Sequence, residues 1–160
     1  ETLRQRRRAR FYALVDEQPL CPGVLEYFDE AERRGILLSV ASSADHKWVD
    51  GHLEKRGLLQ RFACIKTSDD VPHAKPAPDL FLAVLDALHV SPTEAVVFED
   101  SPNGIRAAKA AGIFCVAVPN PTTQFLSLDQ ADMLVSSLAD LPVEELLRNV
   151  REANQGRSTP

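Results

Sequence analysis

Four short apolar runs, separated by helical stretches of about ten residues, constrain this chain more than any other feature in it. The runs are ILLSVAS (36–42), FACIKT (62–67), AVVFED (95–100) and IFCVAV (113–118). Their length and β-branched content suit buried strands, since a helix would need more residues. Between them, 45–56 reads as a helix with Trp48, Val49, His52 and Leu53 inward, closed by Gly57. Pro78 stands at the first position of a helix striped by Leu80, Phe81, Val84, Leu85 and Leu88. Ser101 caps a helix with Pro102 at its first position, and Gly112 ends it. Upstream, 1–17 reads as a helix with Leu3, Phe11, Leu14 and Val15 as its buried side. PLCPGV breaks it, and a second helix runs to Arg34 with Val24, Leu25, Phe28 and Ala31 on one face and Gly35 just past its end. ADMLV (131–135) is a short last strand, Pro142 starts a last helix, and the tail NQGRSTP reads as disordered. Strands alternating with helices make βαβ units. The fold class is therefore α/β: a parallel, Rossmann-like sheet with helices on both faces.

In such sheets ligands gather at the carboxyl ends of the strands. The residues there are Ser42 and Ser43; Thr67, Ser68, Asp69 and Asp70; Glu99 and Asp100; and Pro119 and Asn120. Lys75 lies on the loop after the second run. Asp100, with Glu99 beside it, offers the hard oxygen ligands that magnesium prefers. Ser42 and Ser43 offer hydroxyls and N–H groups before a helix, a cradle for phosphate. Lys75 can set a positive charge against the same phosphate. Each also has a plainer reading: Ser42 as a helix N-cap, Lys75 as a solvated lysine, Asp69 and Asp70 as turn residues, and Glu99-Asp100 as partners of a helix dipole. Their joint placement at one end of the sheet favours the functional reading.

Composition narrows the field. A chain of 160 residues with a net charge of −5 can bury one core and is a poor general binder of nucleic acid. The exception is the run Arg4, Arg6, Arg7, Arg8 and Arg10, read as the solvated face of a helix. No apolar stretch approaches the roughly 20 residues of a membrane span. Cys21, Cys64 and Cys115 are odd in number and widely spaced, with Cys64 and Cys115 in apolar runs as small buried hydrophobes. They suit a reducing compartment such as the cytoplasm, and no histidine clusters with them to hold zinc. The sequence has no G-x-x-x-x-G-K-[ST], G-x-G-x-x-G or G-x-S-x-G, which argues against a P-loop, a dinucleotide fold and a serine hydrolase.

Three segments carry a resemblance. LSVASSA, KPAPDLFLAVLDALHV and VVFEDSPNGIRAAKAAG closely resemble, in order, the second, third and fourth motifs of the haloacid dehalogenase superfamily. The nearest group is the β-phosphoglucomutase-like phosphatases with a small helical cap, over 19–147. The resemblance implies that Ser42 binds phosphate with help from Ser43, and that Lys75 stabilises the phosphoryl oxygens and the nucleophile. It implies that Asp100 ligates Mg2+ with Glu99 beside it, and that Ser101 and Asn103 shape the metal loop. Ala74 stands where relatives often have glycine, and leaves the lysine in place.

The resemblance also implies a first motif, D-x-D-x-[TV], supplying an aspartate nucleophile and an acid/base from a strand in the middle of the sheet. No D-x-D occurs in this chain. Residues 1–18 are then expected to be the remnant of the cap, 19–150 an incomplete core lacking that central strand, and 151–160 a disordered tail. The expected function is the C-terminal portion of a Mg2+-dependent phosphatase of small phosphorylated metabolites, inactive alone. Its partner is the N-terminal segment of the same protein or a complementary chain, with no nucleic acid and no membrane. A mutase would use the same core with a different cap. A non-catalytic binding remnant is the reading from another class.

Overall fold

Each apolar run becomes a parallel strand shorter than the run itself. The computed structural model describes residues 2–157, apart from the side chains of Arg8 and Arg157. In chain order the elements are α1 (Leu3–Asp16), α2 (Val24–Arg34), β1 (Ser39–Ala41), α3 (His46–Lys55), β2 (Cys64–Lys66), α4 (Asp79–Leu88), β3 (Val96–Glu99), α5 (Pro102–Ala110), β4 (Phe114–Ala117), β5 (Met133–Leu134) and α6 (Val143–Arg157). Local chemistry sets their ends. Ser101 accepts from the Gly104 N–H to cap α5, with Pro102 behind it. Pro78 is the N-cap of α4, one position before the place its ring alone suggests. Gly23 opens α2 at φ 88°, where a Cβ would lie 2.3 Å from the Ala139 nitrogen, so only glycine fits that turn.

The strands divide into two parallel sheets, β1–β2 and β3–β4–β5. In the first, Ser39, Val40 and Ala41 face Cys64, Ile65 and Lys66. In the second, Val96 to Glu99 run beside Phe114 to Ala117, and Val116 and Ala117 continue to Met133 and Leu134. Among the described residues β1 pairs only with β2 and β3 only with β4, so each keeps one edge without a strand partner. Helix α4 packs on β1 and β2, and α5 on β3 and β4. The core lies around the second sheet: Ile105, Ala107 and Ala108 of α5, Ile113 and Cys115, and Phe81 and Leu85 of α4 on one side. Phe114, Val116, Leu141 and Leu146 fill the other. Each fully buried large apolar side chain contributes about 1.5–3 kcal/mol.

Three expectations are corrected. Leu3, Phe11 and Leu14 of α1 are exposed rather than buried, because α1 lies outside the core and meets α3 through Phe11 and Tyr12 against Trp48. Leu25 of α2 is likewise exposed. The tail is helical through Arg157, held by Asn154 Nδ2 donating to the Thr93 carbonyl at 2.8 Å; residues 158–160 lie outside the described residues. Of the cysteines, Cys115 is buried, Cys64 half-buried and Cys21 exposed, and all three are free. The described arginines of the N-terminal run, Arg4, Arg6, Arg7 and Arg10, are exposed. Among the described residues no helix is long and apolar enough to cross a membrane.

Candidate phosphate and metal site

The carboxyl ends of β1 and β3 lie on different sheets, and one side chain joins them. Lys75 Nζ donates to the Ala41 carbonyl at 2.8 Å and to Glu99 Oε1. Its ammonium also stands 4.7 Å from the centre of the Phe81 ring. Lys75 and Glu99 are nearly buried, their side chains 13% and 7% exposed, so the pair is a desolvated one held by hydrogen bonds. The residues next in sequence to its two anchors are Ser42 and Asp100. The structure thus brings the predicted ammonium and one carboxylate, Glu99, together at the seam between the sheets, with Ser42 and Asp100 next in sequence to the two anchors.

The surroundings of each are specific. The Ser42 N–H donates to the Lys66 carbonyl at 2.9 Å, which ties the loop to β2, and Ser42 Oγ accepts from the Ala44 N–H at 3.1 Å. Ser42 is not the cap of α3; Asp45 is, accepting from the Trp48 N–H at 2.8 Å. Ser43 is exposed beside it. Glu99 Oε2 accepts from Ser101 Oγ at 3.4 Å. Asn103 is exposed and accepts from Arg106 on the outer face of α5, turned to that arginine rather than to the acids. Asp69 and Asp70 act in the turn after β2. Asp70 Oδ2 accepts from the Thr67 N–H at 2.7 Å, and Asp69 Oδ2 from the His46 N–H at 3.0 Å.

Two residues join the site that sequence reasoning gave no role. A Cβ on Gly104 would lie 1.8 Å from Glu99 Oε2, so the Glu99 carboxylate rests directly on the first turn of α5 where a side chain should be. A glycine inside the helical pattern SPNGIRAAKAAG was the available signal. Asn120, after β4, donates from Nδ2 to Asp100 Oδ2. Cys115, on β4, takes no part. Burial first, then the negative charges of Glu99 and Asp132, push its thiol up to about 12, so it stays protonated and unreactive.

The donor set suits a hard divalent cation. Among the described residues no group of three or more histidine, cysteine or acidic side chains gathers to cage a metal. Were Glu99 and Asp100 to hold a cation, the pair would leave the remaining positions to water and phosphate oxygens, as Mg2+ prefers and zinc does not. A separate open cleft of about 370 Å³ is lined by Asp16, Gln18, Pro19, Leu20, Lys55 and Arg56, and includes none of these residues. Its charges are used internally: Lys55 donates to Asp16 at 2.6 Å, and Arg56 to the Val15 and Gln18 carbonyls.

Comparison with known proteins bears on the family and the fold. A sequence model of the family described as haloacid dehalogenase-like hydrolase matches residues 2–118. YhcW of Bacillus subtilis (strain 168) is 42% identical over 154 residues, spanning 96% of this chain and 70% of that protein. Validoxylamine A 7'-phosphate phosphatase of Streptomyces hygroscopicus subsp. limoneus is 35% identical over 133 residues, 81% of this chain and 62% of the relative. The crystal structure of CbbY from Rhodobacter sphaeroides in complex with phosphate superposes with a TM-score of 0.76 at 37% identity, over 82% of this chain and 61% of that one. The chain therefore spans less than two thirds of the last two.

Proposed function

This chain belongs to the haloacid dehalogenase-like hydrolase family, and from that premise we propose that it forms the phosphate- and metal-holding portion of a Mg2+-dependent phosphatase acting on small phosphate monoesters, sugar phosphates among them. One observation carries the reading: Lys75 links the end of β1, next to Ser42, to Glu99, next to Asp100. In this reading Ser42 and Ser43 bind phosphoryl oxygens through hydroxyl and N–H groups. Lys75 neutralises their charge and also holds Glu99 by a hydrogen bond in a nearly buried place. Asp100, with Glu99 directly or through water, would hold Mg2+, which supplies further charge neutralisation on the phosphoryl group when bound. Ser101 orients Glu99.

The attacking carboxylate belongs to a strand outside this sequence. It would come from the N-terminal part of the same protein or from a complementary chain, seated between the open edges of β1 and β3. That carboxylate attacks phosphorus, the substrate alcohol leaves, and water then hydrolyses the acyl phosphate. Helix α1, lying on α3, fits the remnant of a cap. The three free thiols support residence in a reducing compartment such as the cytoplasm.

The test joins the chain to an apolar strand carrying Asp-x-Asp, fused ahead of it or supplied as a separate peptide. Phosphate release from a panel of sugar phosphates is then followed with and without Mg2+. Release that requires Mg2+ and is lost in Asp100→Ala supports the reading. No release with the strand present, or release indifferent to Asp100→Ala, refutes it.

A further inference from the structure

We propose that Asn120 is a positioning residue for Asp100, holding one carboxylate oxygen so that the other faces the cation. The inference rests on the reading of Asp100 as a Mg2+ ligand. Its basis is the register of two strands. Glu99 of β3 lies beside Ala117 of β4, and the Val118 N–H donates to the Glu99 carbonyl at 2.8 Å. The pairing therefore carries on past the strands and brings the loop after β4 alongside the loop after β3.

The amide of Asn120 is oriented from both ends. Its Oδ1 accepts from the Thr122 N–H at 2.8 Å and the Thr123 N–H at 3.0 Å. Two N–H donors facing one amide atom require that atom to be oxygen, which commits the NH2 group to Asp100. The turn is closed from the other side by the Asn120 N–H donating to Thr123 Oγ1 at 3.1 Å. Asn120 Nδ2 then engages Asp100 Oδ2, and Asp100 Oδ1 has no hydrogen-bond partner among the described residues. A carboxylate held by one oxygen has lost its torsional freedom and presents the other for coordination, the arrangement by which outer partners tune metal ligands. Neither a serine nor an alanine could both close this turn and reach Asp100.

The test is isothermal titration of MgCl2 into the full chain, with thermal unfolding of the metal-free protein alongside. Serine can still accept from the backbone of the turn, so Asn120→Ser is expected to keep the unfolding midpoint while losing about 10–100-fold in Mg2+ affinity. In an Asp100→Asn background the same change is expected to do nothing further. Native affinity in Asn120→Ser, or a loss that merely tracks falling stability, overturns the inference alone. No uptake of Mg2+ by the native chain overturns the metal reading of Asp100, and the inference with it.

Discussion

Strand β4 is buried along its whole length between β3 and β5, whereas every residue of β1 and β2 is only partly buried. Both sheets present site residues at their carboxyl ends, yet they hold them differently. Asp100 follows a strand backed by α5 and the main core, and its own side chain is held by the neighbouring loop. Ser42 follows a strand with one partner and one open edge. What ties it to the rest is helix α4, whose Phe81 and Leu85 belong to the core, and the Lys75 ammonium above that helix. In the proposed reading, the Asp100 side would be held before anything binds, while the Ser42 side would be the looser of the two.

The sharpest way to break that comparison is to cut the link. Lys75→Met leaves the Glu99 charge nearly buried and unpaired, and is expected to lower stability to urea unfolding by about 3–5 kcal/mol. Adding Glu99→Gln should recover much of that loss, because the orphaned charge is gone. Truncation within the core comes next: Ile105→Ala is expected to cost about 2–5 kcal/mol. Val40→Ala on the half-buried β1 should cost under about 1 kcal/mol in the same assay, since little of its side chain leaves water. Equal losses at the two positions would contradict the contrast between the sheets. Gly104→Ala drives a methyl into the Glu99 carboxylate and should cost about 1–3 kcal/mol, with Mg2+ affinity falling alongside.

The smallest effect sharpens the β1–β2 side. His46 Nε2 lies 2.9 Å from Asp70 Oδ2 and Nδ1 lies 3.2 Å from Asp50 Oδ2, while its backbone N–H donates to Asp69. Only the doubly protonated ring can donate to both acids. The Asp50 hydrogen bond and the charges of Asp70 and Asp50 raise its pKa against a smaller effect of burial. A raised folded value means that the stabilisation is complete below the ordinary imidazole value of about 6.5 and is lost as pH climbs through the raised one. The loss should stay below about 1 kcal/mol for a group this exposed, and His46→Gln should flatten it. A pH profile of urea midpoints from 5 to 9, native against variant, checks this.

The places where sequence and structure part have physical reasons. Ser101, Pro102 and Asp100 were legible because caps and strand ends are local chemistry, set within a few residues. Leu3, Phe11, Leu14 and Val15 were read as the buried side of α1, but spacing alone does not say what covers a face; Leu3 at 84% exposure has nothing over it. Asn120 could be named as a residue after a strand. Its bond to Asp100 depends on how β3 and β4 align, which no single segment reveals. The polar tail reads as disorder until Thr93, 61 residues away, is found accepting from Asn154. The break between the sheets follows from pairing rather than from any residue, though the lack of an Asp-x-Asp run pointed to it.

The central claim is that Ser42, Lys75 and the two acids form one site for phosphate with Mg2+ at the seam. It is tested most directly by titrating inorganic phosphate, with Mg2+ present, into the isotope-labelled chain and following backbone amides by NMR. The account predicts that Ser42, Ser43, Lys75, Glu99 and Asp100 shift together along one binding curve, and that the shifts at Glu99 and Asp100 require Mg2+. Shifts confined to the cleft of Lys55 and Arg56, or Ser42 and Asp100 moving on separate curves, would contradict it.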